Sequence, residues 1–195
     1  DDLPIPFRCV GVDLVTRQEQ RFGQEHIYKD GQLSVALRAT MSVPGIFSPV
    51  RDEEKVYVDG GVLNNLPVDV AQQMGADIVI AIHLQSRPLG PQENLSVVDV
   101  VRHSAEVVIS GNEARSLEKL QKADIAVVAN VTSFSLIDYN KYQELIAQGR
   151  SAAEGKANLL RLLSLTPEEW TAYTLQRDAR KRKPAEVPGF ITASA

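Results

Sequence analysis

Short apolar runs alternate along the chain with longer segments in which apolar residues recur every third or fourth position. Short runs rich in Val and Ile predict strands, whereas the longer spacing predicts helices that bury one face. The predicted strands are residues 7–15, 20–22, 46–50, 56–58, 77–83 and 125–129. Strands that alternate with helices in this way are typical of an α/β domain.

Two of the predicted strands are apolar at nearly every position, namely Val79–Ile82 and Ile125–Val128. Strands of this kind occur in parallel sheets that carry helices on both faces. We therefore expect both segments to be central strands, covered on each side.

Helix signals lie between and after these strands. Pro67 suits a first helical turn and Gly75 suits a stop, while Ser96 and Asp99 have the spacing of a capping box. The predicted helices are 66–74, 96–122, 140–163 and a final helix that follows Thr166-Pro167 and extends to Lys183. Pro184 and Pro188 then predict a boundary, so residues 1–183 are expected to form one domain and 184–195 a linker towards a further module.

Composition and charge narrow the classes of protein. The chain has 195 residues, 44% of them hydrophobic, which suits a globular domain. Its longest apolar runs contain about five residues, whereas a membrane-spanning helix needs about 20. The net charge is −4 and the basic residues concentrate after Arg177, which disfavours nucleic-acid binding by the main body. With a single cysteine, Cys9, no intramolecular disulfide can form, and we predict neither a metal nor a cofactor.

The candidate chemistry centres on Asp59, which ends a short β-favouring run and is followed by Gly60 and Gly61. Two glycines allow the backbone to turn tightly and to pass close to a neighbour. A strand end of this kind lies at the rim where α/β sheets bind ligands. Taken alone, Asp-Gly-Gly is equally well explained as an ordinary turn, with Asn64 and Asn65 supporting it.

Three segments have a more specific form: ATMSVPGIFSPV at 39–50, YVDGGVLNNLPV at 57–68 and GADIVIAIHL at 75–84. Together they resemble the patatin-like phospholipase family, most clearly over residues 8–83 and more diffusely to about residue 165. The resemblance implies a three-layer α/β/α hydrolase with a mostly parallel central sheet. It also implies a catalytic serine in a Gly-x-Ser-x-Gly elbow and a catalytic aspartate, which maps onto Asp59.

The serine elbow and the glycine-rich oxyanion loop precede this region in the family, and neither occurs in these residues. The N-terminal portion of the domain is therefore expected to be missing. Ser151 lacks the final glycine of an elbow and lies in a helical segment. Ser42 and Ser48 lie in a proline-rich segment, where we expect hydroxyls to bond backbone groups.

His83 supports an alternative, because it ends a predicted strand and histidine is the usual general base. A Ser-His-Asp triad through His83 competes with a Ser-Asp dyad through Asp59. A histidine facing solvent or a carbonyl is the simpler interpretation. Asp13 is expected to orient a loop.

The resemblance thus implies a lipid acyl hydrolase of the phospholipase A or esterase type, inactive as this chain alone. The alternative is a non-catalytic lipid-binding or scaffold domain. The partners expected of this protein are a phospholipid or other lipid ester, a membrane surface attracted by the basic run 177–183, and the missing N-terminal portion of the domain. An oligomer is compatible with the sequence. Because bacterial relatives continue into export modules, a secreted or cell-surface location is preferred to a cytoplasmic one.

Overall fold

A computed structural model describes residues 5–23, 32–85, 95–134 and 138–179. The strands are β1 Cys9–Asp13, β2 Gln18–Phe22, β3 Val50–Asp52, β4 Lys55–Asp59, β5 Ile80–Gln85 and β6 Ile125–Asn130. The helices are α1 Gln32–Thr40, α2 Gly61–Asn64, α3 Val68–Gln73, α4 Val97–Leu117, α5 Tyr142–Glu154, α6 Ala157–Arg161 and α7 Pro167–Ala179. One compact unit is Arg8–Ser164, and a second combines Asp1–Phe7 with Leu165–Ala195. The predicted boundary at Pro184 lies outside the described residues.

The first four strands form an antiparallel sheet in the order β2-β1-β4-β3. Asp13 closes the turn between β1 and β2, because its carboxylate accepts hydrogen bonds from Val15 N at 3.1 Å and Thr16 Oγ1 at 2.9 Å. It also accepts from the backbone N–H of Val56, in β4, at 3.3 Å. Burial raises the pKa of Asp13, but these hydrogen bonds outweigh burial and bring the pKa below its ordinary value. The expected loop-orienting role of Asp13 is confirmed.

Helix α1 packs on this sheet and completes its core. Ala36 and Ala39, three residues apart on one helix face, are buried with Phe22 and Tyr57. The two rings meet edge to face with centroids 5.2 Å apart. The sequence pattern did not predict α1, since a buried face made of alanine gives a weak hydrophobic signal.

Strands β5 and β6 form a separate parallel pair, with Ile80 opposite Ile125. Asp124 ties the starts of these strands together, because its carboxylate accepts from Val79 N at 2.8 Å and Gln121 N at 2.7 Å. Ala81 and Val127 are buried, whereas Ile82 is 66% exposed. The prediction that these strands are covered on both faces is therefore wrong within the described residues.

The predicted mostly parallel central sheet also needs correction. Four of the six described strands are antiparallel, because β1 with β2 and β3 with β4 are joined by turns too short for a parallel crossover. Only β5 and β6, which are connected through α4, pair in parallel. The chain is α/β, as predicted, but its described strands lie in two sheets.

The predicted helices are largely present with changed bounds. Ser96 caps α4 in a capping box with Asp99, as predicted. The segment 140–163 divides into α5 and α6 at Gly155 and Lys156, where the backbone of Lys156 leaves the helical region. None of the helices in the described part of the chain has the length and apolar character needed to cross a membrane.

Candidate active site

Asp59 is the last residue of β4, and the chain turns immediately into α2. Gly60 makes this turn possible, because a Cβ at this position would lie 2.3 Å from the backbone oxygen of Val10. A contact that short to a main-chain atom would force β1 or α2 to move. The first glycine of the motif therefore has a steric cause: it lets the turn lie directly against β1.

The second glycine orients the carboxylate. Gly61 N donates a hydrogen bond to Asp59 Oδ1 at 2.6 Å. A Cβ on Gly61 would lie 2.9 Å from the same oxygen and 2.7 Å from Asn65 Oδ1. The absence of a side chain at Gly61 thus leaves room for the Asp59 carboxylate to fold back onto the turn.

The backbone of Asp59 is held from the other side by the loop after α1. Asp59 N donates to the carbonyl oxygen of Ser42 at 3.0 Å. The hydroxyl of the buried Ser42 donates to Arg38 O at 2.7 Å, so it satisfies a helix carbonyl, as expected. The same loop exposes the side chains of Ile46 and Phe47.

The electrostatics of Asp59 differ from those of a surface aspartate. Its side chain is partly buried, and among the ion pairs of the described residues none involves Asp59. Burial raises the pKa of the Asp59 carboxyl, and the Gly61 N–H offsets only part of that rise. A carboxylate with a raised pKa is a stronger base than an ordinary surface aspartate.

Comparison with known proteins identifies the stretch that contains this turn. Residues 1–71 match the family model described as patatin-like phospholipase. This stretch is similar to patatin-like phospholipases. The match includes Asp59, Gly60 and Gly61, so the resemblance found in the motifs is confirmed.

Individual relatives give the same assignment. The chain is 32% identical to an NTE family protein of Mycobacterium tuberculosis over 91 residues, which are 47% of this chain and 24% of that protein. A second NTE family protein of that organism is 41% identical over 70 residues, 36% of this chain and 11% of that protein. Patatin-like phospholipase domain-containing protein 7 of Mus musculus is 39% identical over 89 residues, 45% of this chain and 6% of that protein. The chain thus aligns with a quarter or less of each relative.

His83 lies in β5, and the carboxylate that it faces belongs to Glu113 of α4. Its Nδ1 is 3.8 Å from Glu113 Oε2, and the side chains are 14% and 12% exposed. A triad of His83 with Asp59 gains no support from this arrangement. Glu113 also accepts a hydrogen bond from Asn65 Nδ2, which connects it to the patatin-like turn.

Sequence reasoning missed Glu113. One signal was available, because Glu113 stands four residues before the apolar Leu117 and therefore shares a face of α4 with it. A carboxylate on a packed apolar helix face is unusual, since burial penalises its charge.

Asn64 has the structural role expected of it. Its Nδ2 donates to Glu19 Oε2 and to Asp69 Oδ1, each at 3.0 Å, so it connects the end of α2 to β2 and α3. Its Oδ1 is buried and has no hydrogen-bond partner among the described residues. As for metals, the described ranges contain no cluster of three or more His, Cys, Asp or Glu side chains arranged to hold an ion.

Proposed function

We propose that this chain contributes the catalytic base to a lipid acyl hydrolase of the phospholipase A or esterase type. The observation that carries the proposal is the state of Asp59. Its carboxylate is partly buried, bonded to a backbone N–H, raised in pKa and contained in patatin-like sequence. These are the properties expected of a general base that acts near neutral pH.

The proposed reaction uses a serine from polypeptide outside these 195 residues. Its Oγ attacks the ester carbonyl carbon and gives its proton to Asp59, while backbone N–H groups stabilise the oxyanion. The carbonyl re-forms as the ester's C–O bond breaks, and the alcohol leaves with the proton that Asp59 gives up. Water then attacks the acyl-serine and gives a proton to Asp59, which passes it to the serine oxygen as the fatty acid is released.

Within the proposed dyad the two oxygens of Asp59 have different tasks. Oδ1 accepts the Gly61 N–H, which fixes the plane of the carboxylate. We assign the serine proton to Oδ2. A base oriented in advance loses less freedom on reaching the transition state, which favours the reaction.

The proposal extends to the fold of the intact domain, a three-layer α/β/α arrangement around a mostly parallel sheet. Strand β5 supports it, because the side chains of Ile80, Ile82 and Leu84, which alternate along the strand and share one face, are exposed within the described residues. A further layer of the same domain would bury them.

Asp59→Asn in the intact protein tests the dyad, because asparagine keeps the shape of aspartate but cannot accept the proton. We expect hydrolysis of a short-chain nitrophenyl ester and of phospholipid vesicles to fall at least about 100-fold. Asp77→Asn, at an exposed aspartate outside the turn, is the matched control and should keep the parental rate. Parental activity in Asp59→Asn would remove Asp59 from the mechanism.

A non-catalytic lipid-binding or scaffold domain is the second candidate, favoured by the absence of a Gly-x-Ser-x-Gly sequence from these residues and by the exposed Ile46 and Phe47. A fluorophosphonate probe distinguishes the two candidates. An acyl hydrolase would be labelled on one serine, which peptide mass spectrometry locates. An intact protein that binds vesicles but takes no label would support the scaffold.

A further inference from the structure

Helix α4 holds both ends of the short helix that follows Asp59. Asn112 Nδ2 donates to Val62 O at 2.8 Å, near the start of α2. The adjacent Glu113 accepts from Nδ2 of Asn65, the residue that ends α2. Two neighbouring side chains of one long helix therefore fix the position of a helix of only four residues.

The amide of Asn65 lies beside the Asp59 carboxylate. The point where a Gly61 Cβ would stand is 2.7 Å from Asn65 Oδ1 and 2.9 Å from Asp59 Oδ1. Both side chains thus border the space above Gly61, whose N–H holds Asp59. A hydrogen bond thus joins Glu113 to Asn65, and the amide oxygen of Asn65 borders the same space above Gly61 as the Asp59 carboxylate.

A buried glutamate at this position is costly for packing alone. Its side chain is 12% exposed, and its Oε2 lies 3.8 Å from Nδ1 of His83. A leucine would fill a helix interface without the penalty of burying a charge. The acceptor oxygen that meets Asn65 is the property that leucine lacks.

We propose that Glu113 is a positioning residue for Asp59. It fixes the amide of Asn65, which keeps the turn at Gly61 in the conformation that points its N–H at Asp59 Oδ1. This inference rests on the proposed function, since it assigns Glu113 a task in the same reaction. Glu113 itself touches neither the substrate nor the serine.

The test compares Glu113→Leu with Glu113→Gln in the intact protein, using a soluble ester. Loss of the acceptor in Glu113→Leu should lower kcat about 10- to 100-fold, because a small displacement of a catalytic group has that effect, while KM stays within about twofold. Glutamine keeps an oxygen that accepts from Asn65, so Glu113→Gln should stay within about threefold of the parent.

Glu106→Gln is the matched control, since Glu106 also lies on α4 and pairs with a histidine, with its Oε2 2.6 Å from His103 Nδ1. It should leave kcat unchanged. Asn65→Ala, at an exposed position, should reproduce the loss of Glu113→Leu. The double variant should be no slower than either single variant, as expected for two residues that act through one contact.

Three results would overturn the proposal: Glu113→Leu or Asn65→Ala with parental kcat, additive losses in the double variant, or Glu113→Gln as slow as Glu113→Leu. The last result would assign the role of Glu113 to its charge and to His83. Should Glu113→Leu not fold, Asn65→Ala still decides. Asp59→Asn in the same assay separates this proposal from the proposed function. Parental activity of Asp59→Asn would defeat the dyad. Loss of activity in Asp59→Asn together with parental activity in Asn65→Ala would defeat only the positioning role.

Discussion

The two sheets of the unit Arg8–Ser164 bury their apolar residues to different degrees. The antiparallel sheet and α1 enclose a core in which Phe22 is 4% exposed. The parallel pair has more continuously apolar strands, yet Ile82 is 66% exposed. Apolar sequence alone therefore does not determine burial, because a strand buries only the faces that other elements cover.

The candidate site uses both regions. Asp59 and the loop that holds its backbone belong to the antiparallel sheet, whereas Asn112 and Glu113 reach the following turn from α4. A turn fixed on two sides keeps a side chain in one orientation better than a free loop does. The antiparallel sheet thus supplies the carboxylate, and α4, which connects the two strands of the parallel pair, supplies its support.

The strongest test of this comparison exchanges one apolar residue in each sheet for alanine. Phe22→Ala should lower the free energy of unfolding by about 3–5 kcal/mol, because it removes a buried ring that packs on Tyr57. In these 195 residues alone, without the further layer proposed above, Ile82→Ala should cost less than about 0.5 kcal/mol, since its side chain is largely in solvent. Urea denaturation measures both. A large loss for Ile82→Ala would mean that this face is covered in solution.

The second test concerns the turn itself. Gly60→Ala should destabilise the protein by about 3 kcal/mol, because its Cβ would lie 2.3 Å from the main chain of Val10. Gly149→Ala is the control. Gly149 lies inside α5, and a Cβ added there would meet no heavy atom within 4 Å outside its own helix backbone and chain neighbours. Alanine should therefore raise the free energy of unfolding by about 0.5–1 kcal/mol. Equal effects of the two substitutions on urea denaturation would contradict the close packing of the turn on β1.

The sequence predicted what depends on local chemistry. The segment Val56–Val58 is strand because β-branched and aromatic residues favour it, and Ser96 begins α4 because its hydroxyl can cap. The placement of Asp59 at a strand end followed from the adjacent glycines. Sheet direction was wrong, and Glu113 was missed, because both depend on which distant segments meet. Asn65 and Glu113 are 48 positions apart, and no local pattern in a single sequence marks such a pair.

A smaller effect on stability is expected at the start of α4. Ser96→Ala removes a cap that accepts from Asp99 N, and should cost about 1 kcal/mol. Ser104→Ala, on the exposed surface of the same helix, should change stability by less than about 0.5 kcal/mol. Thermal unfolding compares the two, and equal values would show that the cap does not stabilise α4.

The finest distinction between the structural carboxylate of Asp13 and the proposed base Asp59 is the sign of their effect on the pH dependence of stability. The pKa of Asp13 is lowered on folding, so its contribution to stability is present above the ordinary aspartate value of about 3.9 and is lost as pH falls below it. The pKa of Asp59 is raised, so the folded state keeps this proton to a higher pH than the unfolded chain does. Stability therefore decreases as pH rises from the ordinary aspartate pKa to the raised pKa of the folded state.

The two asparagine variants should therefore differ in direction. Asp13→Asn should be less stable than the parent at pH 7 and should show a flatter loss of stability in acid. Asp59→Asn should be at least as stable as the parent at pH 7, because it removes a partly buried charge that has no cationic partner among the described residues. Thermal unfolding between pH 3 and pH 7 measures both slopes. A destabilised Asp59→Asn would mean that the ionised carboxylate holds the turn together, and that its loss of activity could not be assigned to chemistry alone.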